Sequence, residues 1–381
     1  MRVNFVLPED NLAGGTRVIA MYAEHLRRRG HQVVVVSLPR QLPPVRNRIK
    51  SLLTGRGWPT AVPGPSYFDA LEVEHRVIET HRPITDRDLP DADVVVATWW
   101  ETAEWVARLS PCKGAKAYLI QQVESNFPGQ PAECIEATWR LPMQKIVVSQ
   151  WLNEVARDRF GDPTSIIVPN GIDLDLFHAP HRGKQPRPTV GFLYAPYSPH
   201  KGTATALAVI DAASRRIPGL HVRAFGFDDP APLAPLPPGS DYYRRPPQHT
   251  LRDIYAGCDV WLCTSSSEGY HLPPHEAMAC RCPVVSTRVG GPMDLIEDGV
   301  TGYLVDVDNT RNLTDRLIEI LGLPGPAWQR MSEAAYESVK NFTWDKATIR
   351  VERALEVAIE RFGSSTFNGP SPVVGFNLRL S

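Results

Sequence analysis

The chain has 381 residues, of which 43% are hydrophobic and 22% charged, and its formal net charge is −1. This length is enough for two or three domains, and a charge near zero gives no electrostatic support for nucleic-acid binding. The start lacks the apolar core of a signal peptide, and no apolar run approaches the roughly 20 residues that span a bilayer. We therefore expect a cytoplasmic protein that binds no nucleic acid.

The amino-terminal half of the chain alternates apolar runs with helical patterns. Val3–Leu7 is a short apolar run, a helical pattern follows Gly14 and Gly15, and Val33–Val36 is a continuous β-branched run. Such an opening is typical of a βαβ unit in a parallel sheet. Further strands are predicted at residues 94–97, 118–120, 146–148 and 166–168.

The same alternation restarts after the turn signal Pro169-Asn170-Gly171. Strands are predicted at 190–193, 222–225, 260–263 and 283–286, and helices at 203–216, from about 274, and at 312–321, 327–340 and 346–361. Strands separated by helices predict an α/β fold. We place the domain boundary near residue 170, which gives domains 1–169 and 170–345, and we expect the polar tail 363–381 to be disordered.

Six cysteines are scattered along the chain without a CxxC pair, and Cys280 and Cys282 lack His or Cys partners at zinc spacing. Asp173-Leu174-Asp175 is formally a DxD motif, but it lies beside the predicted domain boundary. We expect no metal and no cofactor.

A glycine turn, Gly14-Gly15, separates the first predicted strand from the first helix. Glycines allow the backbone to approach a ligand closely, and helix amino-terminal N–H groups favour anions. The pattern is not GxGxxG, so the dinucleotide fingerprint fails. A glycine pair of this kind is more often just a tight turn.

The most informative stretch runs from Ser265 to Ala279 and follows a predicted strand, at the end where open α/β sheets bind ligands. Glu268 is predicted to lie in the loop and Glu276 in the first turn of a helix that Pro273 or Pro274 opens. Carboxylates accept hydrogen bonds from vicinal hydroxyls, so Glu276 is a candidate for binding a ribose and Glu268 a sugar hydroxyl. Simple helix-dipole complementation by Glu276 is the alternative. A glycosidase-like pair is disfavoured, because the spacing does not establish how far apart the carboxyl groups lie.

With seven residues between them, Glu268 and Glu276 match the E-x7-E motif of the family 4 retaining glycosyltransferases. Four neighbouring segments also resemble that family: Pro283–Gly291, Glu297–Val305, Pro169–Asp173 and His200–Gly202. The glycine turn corresponds to its amino-terminal glycine loop. Together these segments cover most of the chain, most densely from 189 to 345.

This resemblance implies a GT-B fold, in which two Rossmann-like domains face a central cleft. It implies a nucleotide-diphosphate sugar as donor, a saccharide or lipid-linked acceptor, retention of anomeric configuration and independence of metal. Lys201 corresponds to the phosphate-binding lysine. The terminal helix, 346–362, is expected to return to the amino-terminal domain. The implied donor-binding residues are Gly14, Gly15, Thr16, Gly269, Tyr270, His271, Leu272, Gly290 and Gly291.

Several positions depart from the family pattern. His271 and Arg281 stand where glycine is usual, and Phe192 lies in the region where an arginine usually precedes the phosphate lysine. The diphosphate contacts are therefore predicted to involve Lys201 together with Arg244, Arg245 or His271.

The segments around Trp99 and Glu124 resemble bacterial rhamnosyltransferase-type enzymes of polysaccharide biosynthesis. Trp99 and Trp100 are candidates for stacking on sugar faces, although tryptophans after a strand are core residues at least as often. Glu101 and Glu124 are candidates for the acceptor-side base.

Basic residues alternate with apolar ones between Arg46 and Trp58. Such a stretch suits peripheral contact with an anionic membrane at its inner face, and a solvated loop explains it as well. Two other functions remain open for the whole chain: a nucleotide-sugar epimerase on the same fold, and a copy that binds nucleotide sugar without turnover.

Overall fold

A computed structural model describes residues 1–40, 52 and 65–364. The predicted membrane stretch Arg46–Trp58 and the predicted disordered tail therefore lie almost wholly outside the described residues. None of the helices described here combines the length and the apolarity that crossing a bilayer requires.

The first domain is built on a seven-stranded parallel sheet with the order β3-β2-β1-β4-β5-β6-β7. The central strands β1, β2 and β4 are rich in valine and largely buried, as expected of a parallel sheet covered by helices. The strands are β1 (Arg2–Leu7), β2 (Gln32–Ser37), β3 (Glu74–Val77), β4 (Val94–Ala97), β5 (Ala115–Ile120), β6 (Gln144–Val147) and β7 (Ile166–Ile167). Its helices are α1 (Gly14–Arg28), α2 (Trp100–Ala107), α3 (Ala132–Thr138) and α4 (Gln150–Glu154).

The second domain is built on a six-stranded parallel sheet with the order β10-β9-β8-β11-β12-β13. Its strands are β8 (Thr189–Leu193), β9 (His221–Gly226), β10 (Asp241–Arg244), β11 (Val260–Cys263), β12 (Val284–Thr287) and β13 (Gly302–Val305). Its helices are α5 (Thr203–Ser214), α6 (Gln248–Ala256), α7 (Leu272–Ala279), α8 (Pro292–Leu295), α9 (Thr310–Gly322) and α10 (Gly325–Val339). Both sheets have the Rossmann-like arrangement expected from the alternation of strands and helices.

The last helix, α11 (Trp344–Gly363), crosses back to the first domain. Trp344, Val351 and Leu355 belong to the first domain's apolar core, against α1 and β5. The crossing point is tight, because a Cβ on Gly171 would lie 2.4 Å from the backbone of Trp344. The chain therefore crosses between the two domains at two places, Gly171 and Trp344, and these two segments lie against each other.

Asn170 joins the two domains near this crossing. Its backbone carbonyl accepts a 2.8 Å hydrogen bond from the hydroxyl of Tyr270 in the second domain. Its side-chain oxygen accepts one of 3.2 Å from Tyr22 on α1. Both tyrosines are buried, so these bonds fix the relative position of α1 and the loop that precedes α7.

Candidate functional site

A cavity of about 920 Å³ lies between the two domains. Its walls come from the loops at the carboxyl ends of β1, β4 and β5 in the first domain and of β8, β9, β10 and β11 in the second. Ligands of open α/β sheets bind at these strand ends. The cavity is large enough for a nucleotide-sized ligand.

The glycine turn forms one wall of the cavity. Helix α1 begins at Gly14, and Ala13 at its amino terminus supplies no side-chain cap for the first N–H groups. Thr16 lies in the same turn, and its hydroxyl donates a 2.9 Å hydrogen bond to the side-chain oxygen of Asn11. Gly15 lies close to Gln121, since an added Cβ would be 3.4 Å from that side chain. Uncapped N–H groups at a helix start bind anions well.

On the opposite wall, Lys201 pairs with Glu268. The Lys201 Nζ lies 2.7 Å from Glu268 Oε1, and Ser265 Oγ donates to the same oxygen over 2.8 Å. Gly202 follows Lys201 in the left-handed region, and a Cβ there would lie 2.0 Å from the carbonyl oxygen of Thr264. Only glycine fits, and this close approach holds Lys201 against the loop that carries Glu268.

The charges in this group fix the protonation state of Glu268. Burial by itself would raise the pKa of this carboxyl, but His271, Lys201 and the hydrogen bonds from Lys201 and Ser265 outweigh it and lower the pKa to about 2. Burial lowers the pKa of His271 to about 4. Near neutral pH the group therefore contains a carboxylate, an ammonium and a neutral imidazole.

Three glycines pack the centre of the site tightly. A Cβ on Gly269 would lie 1.8 Å from the carbonyl oxygen of Gln121, which belongs to the first domain. A Cβ on Gly290 would lie 2.4 Å from the carbonyl oxygen of Glu268, and one on Gly291 would lie 2.4 Å from that of Tyr270. The cavity lining includes Gly269, Tyr270, His271 and Leu272. It does not include Gly290 and Gly291, which pack against the backbone of the loop at residues 268–270.

Glu276 also lines the cavity, and both its oxygens are engaged. Arg17 Nη1 donates to Oε1 over 2.8 Å across the domain interface, and the hydroxyl of Tyr255 donates to Oε2 over 2.9 Å. The side chains of Arg17 and Glu276 are only 12% and 5% exposed. This ion pair closes one side of the cavity.

The predicted position of Glu276 in the helix was wrong. Helix α7 begins at Leu272, with Pro273 in its first turn, so Glu276 is the fifth residue and lies in the second turn. His271 precedes the helix in a left-handed conformation and ends the loop earlier than the prolines suggested. Helix-dipole complementation in a first turn is therefore not an explanation of Glu276.

Arg17 is a site residue that the sequence analysis missed. It lies in the first turn of α1, where a cation opposes the helix dipole. A basic residue directly after Gly14-Gly15-Thr16 was a usable signal, because such a residue needs a partner beyond its own helix. That partner, Glu276, lies 259 residues later in the chain.

The four acceptor-side candidates divide between the cavity and its surroundings. Trp99 and Glu124 line the cavity, whereas Trp100 and Glu101 do not. Glu124 is buried, its Oε2 accepts a 3.3 Å hydrogen bond from the Tyr118 hydroxyl, and burial raises its pKa to about 8. Burial also raises the pKa of Glu101.

Of the two arginines predicted to contact the diphosphate, one lines the cavity and the other does not. Arg245 lines the cavity, in a left-handed conformation with its Nε bonded to the carbonyl oxygen of Phe227. Arg244 pairs with Asp229, is half exposed and lies outside the cavity lining. Of the two, Arg245 alone has access to a ligand in the cavity.

The DxD pattern has a structural role in the described chain. One oxygen of Asp173 accepts hydrogen bonds from the backbone N–H groups of Asp175 and Leu176 and so shapes the turn. Among the described residues, no three His, Cys, Asp or Glu side chains converge as a metal site would require.

The second domain and the chain as a whole are similar to known proteins. The family model described as Glycosyl transferases group 1 matches residues 188–338. The D-inositol 3-phosphate glycosyltransferase of Mycolicibacterium paratuberculosis is 30% identical over 218 residues, which is 53% of this chain and 49% of that protein. The chain thus spans about half the length of the curated relatives it matches.

Two solved structures are similar over nearly the whole chain. HepE of Anabaena, in complex with UDP-glucose, has a TM-score of 0.68 at 16% identity and covers 93% of this chain and 99% of its own. Sucrose-phosphate synthase of Thermosynechococcus elongatus has a TM-score of 0.71 at 15% identity, covering 96% and 100%. At such low identity these similarities establish the fold alone.

Proposed function

Since the chain carries a domain of the glycosyl transferases group 1 family within a GT-B fold, we propose that the protein is a retaining glycosyltransferase. It transfers a sugar from a nucleotide-diphosphate donor to a saccharide or lipid-linked acceptor, without a metal ion. The observation that carries this proposal is the Lys201–Glu268 pair at the strand ends of the second domain.

Breaking the bond between a sugar and a diphosphate leaves negative charge on the departing diphosphate. In this proposal the Lys201 ammonium, 26% exposed and open to the cavity, lies beside that charge. The uncapped N–H groups at the start of α1 face the same cavity from the other domain. Fixed cations and dipoles of this kind stabilise a transition state more than the ground state when they face developing charge.

Glu268 is assigned to the transferred sugar. Its Oε1 is occupied by Lys201 and Ser265, and among the described residues no side chain or backbone group bonds to Oε2. A carboxylate held by two donors on one oxygen presents the other in a fixed direction. Because the pKa of Glu268 is low, that oxygen accepts a hydrogen bond from a sugar hydroxyl.

Glu276 is assigned to the ribose of the donor. Tyr255 orients its carboxylate through Oε2, and Arg17 binds Oε1. A ribose diol donates to Oε1 after Arg17 has moved or by sharing that oxygen with it. On the first-domain side, an added Cβ on Gly14 would meet no atom within 4 Å, so the diphosphate is assigned to the space beside this turn, between ribose and sugar.

The acceptor is assigned to the first-domain side of the cavity. Trp99 there offers an aromatic face of the kind that stacks on sugars, and Glu124 offers a carboxyl whose raised pKa suits proton exchange near neutral pH. A lipid-linked acceptor would bring the protein to an anionic membrane, in line with the basic stretch between Arg46 and Trp58.

A nucleotide-release assay tests the proposal. The protein is incubated with the glucose conjugates of UDP, GDP, ADP and dTDP, with and without a saccharide acceptor mixture, and free nucleoside diphosphate is measured. We expect acceptor-stimulated release from one conjugate, unchanged by EDTA, and a product whose anomeric proton shows the donor's configuration by NMR. Release of a sugar epimer without any acceptor dependence would contradict transfer. Binding without release would contradict catalysis.

A further inference from the structure

The loop before α7 contains a backbone conformation that its residue adopts at a cost. His271 has φ 65° and ψ 78°, in the left-handed region that disfavours residues with a Cβ. Strain of this kind persists where the surroundings enforce it, and it is concentrated at ligand sites. The strained residue here lines the cavity next to Glu268.

The side chain of His271 is buried, with 2% of its surface exposed. Its Nε2 lies 3.7 Å from Glu268 Oε1, which is too far for a hydrogen bond. Its Nδ1 is buried and has no hydrogen-bond partner among the described residues. A buried polar atom without a partner is uncommon and calls for an explanation.

The chemistry of the imidazole indicates what a partner would be. Burial keeps the ring neutral near pH 7, so one nitrogen donates and the other accepts. Beside it, Glu268 only accepts. A pair consisting of one carboxylate and one neutral imidazole matches two neighbouring hydroxyls, each of which both donates and accepts.

We propose that His271 determines which sugar the cavity accepts, by bonding one of two adjacent free hydroxyls of a donor hexose while Glu268 bonds the other. This inference rests on the proposed function and adds to it a substrate class and a selectivity residue. The imidazole also fills space beside the carboxylate, so a hexose with a different configuration or a bulky substituent at these carbons fits less well.

The test compares selectivity instead of overall rate, because a purely structural role would slow all donors alike. The preferred nucleotide is first identified with the four glucose conjugates. On that nucleotide, kcat/KM is then measured for glucose, galactose, xylose and N-acetylglucosamine conjugates. The variants are His271→Gly, which relieves the backbone strain, and His271→Asn, because asparagine tolerates the left-handed region and keeps a polar group.

Asp308→Gly is the matched control. Asp308 also has a positive φ, of 66°, but it is exposed and lies outside the cavity lining. It reports the effect of replacing a strained residue by glycine without touching the site. Thermal unfolding of each variant checks that it is folded.

In His271→Gly we expect the ratio of kcat/KM between the best and second-best donors to fall about tenfold, the equivalent of one neutral hydrogen bond. His271→Asn should fall between that variant and the wild type, and Asp308→Gly should keep the wild-type ratio. The dissociation constant for the free nucleoside diphosphate should change by less than about twofold, since His271 is assigned to the sugar.

An unchanged ratio in both His271 variants, in a protein that turns over donors, contradicts the role of His271 and leaves the proposed function standing. A loss of free-nucleotide binding in these variants equally contradicts it, because it would place His271 at the diphosphate. A wild-type protein that releases nucleotide from none of the glucose, galactose, xylose and N-acetylglucosamine conjugates of the four nucleotides overturns the proposed function and this inference together.

Discussion

Replacing Arg17 by methionine tests the ion pair that joins the two domains across the cavity. Methionine keeps much of the side-chain volume but leaves Glu276 Oε1 without its partner. Removing one member of a buried ion pair costs about 3–5 kcal/mol, and a hydrogen bond to a charged group contributes about 1.5–3 kcal/mol. Tyr255 still bonds Oε2 and Glu276 lines the cavity, so we expect the lower range, about 1.5–3 kcal/mol.

The measurement is urea unfolding followed by tryptophan fluorescence, with Glu276→Gln and the double variant completing a double-mutant cycle. If the pair is formed in solution, the two single changes share one interaction, and their coupling energy should be about 1–3 kcal/mol. Arg28→Met is the control on the same helix. Arg28 is 62% exposed, and its partner Glu24 still forms an ion pair with Arg27 when Arg28 is replaced. The Arg28→Met change should therefore lower the free energy of unfolding by less than about 1 kcal/mol. Additive effects of Arg17→Met and Glu276→Gln would refute the interdomain pair.

Three further predictions follow from the site and the sequence. Glu276→Gln should raise the donor KM more than it lowers kcat in steady-state kinetics, because a ribose diol is unchanged during the reaction; a loss confined to kcat would argue against the ribose assignment. Burial raises the pKa of Glu124 in the native state to about 8. The native state therefore keeps this proton up to about pH 8, whereas the unfolded state loses it above about pH 4.5. The contribution of Glu124 to the free energy of unfolding thus decreases as the pH rises from about 4.5 to about 8. Glu124→Gln should therefore match the wild type near pH 5 and be more stable at pH 8 in urea unfolding, and equal stability at both would contradict the shift. If the stretch Arg46–Trp58 binds membrane, the protein should sediment with anionic vesicles and less so at high salt, an idea that equal binding to neutral vesicles would rule out.

The fold could be predicted in outline because its central strands are strongly patterned. Val94–Ala97 and Val260–Cys263 were predicted with the bounds that the structure has. The edge strands Glu74–Val77 and Asp241–Arg244 were missed, since they are charged and partly exposed. Edge strands have only one neighbour and face solvent, so the apolar signal that marks a buried strand is weak there.

The site could be predicted only where it is local in sequence. The spacing of Glu268 and Glu276 drew attention to both carboxylates, but it does not indicate that they have different partners. Lys201 meets Glu268 across 67 residues and Arg17 meets Glu276 from the other domain. The first contact depends on how two loops of the second domain fold together, and the second depends on how the two domains pack. Periodicity and motif spacing encode neither.

The most direct test of the central claim is the steady-state kinetics of Lys201→Ala, with Lys201→Arg as the charge-preserving control. If Lys201 stabilises the departing diphosphate, kcat should fall on the order of 10²-fold, as when one oxyanion donor is removed, and the arginine variant should retain more activity than the alanine variant. A Lys201→Ala protein that is folded and changes only the donor KM, with kcat intact, would contradict the assignment.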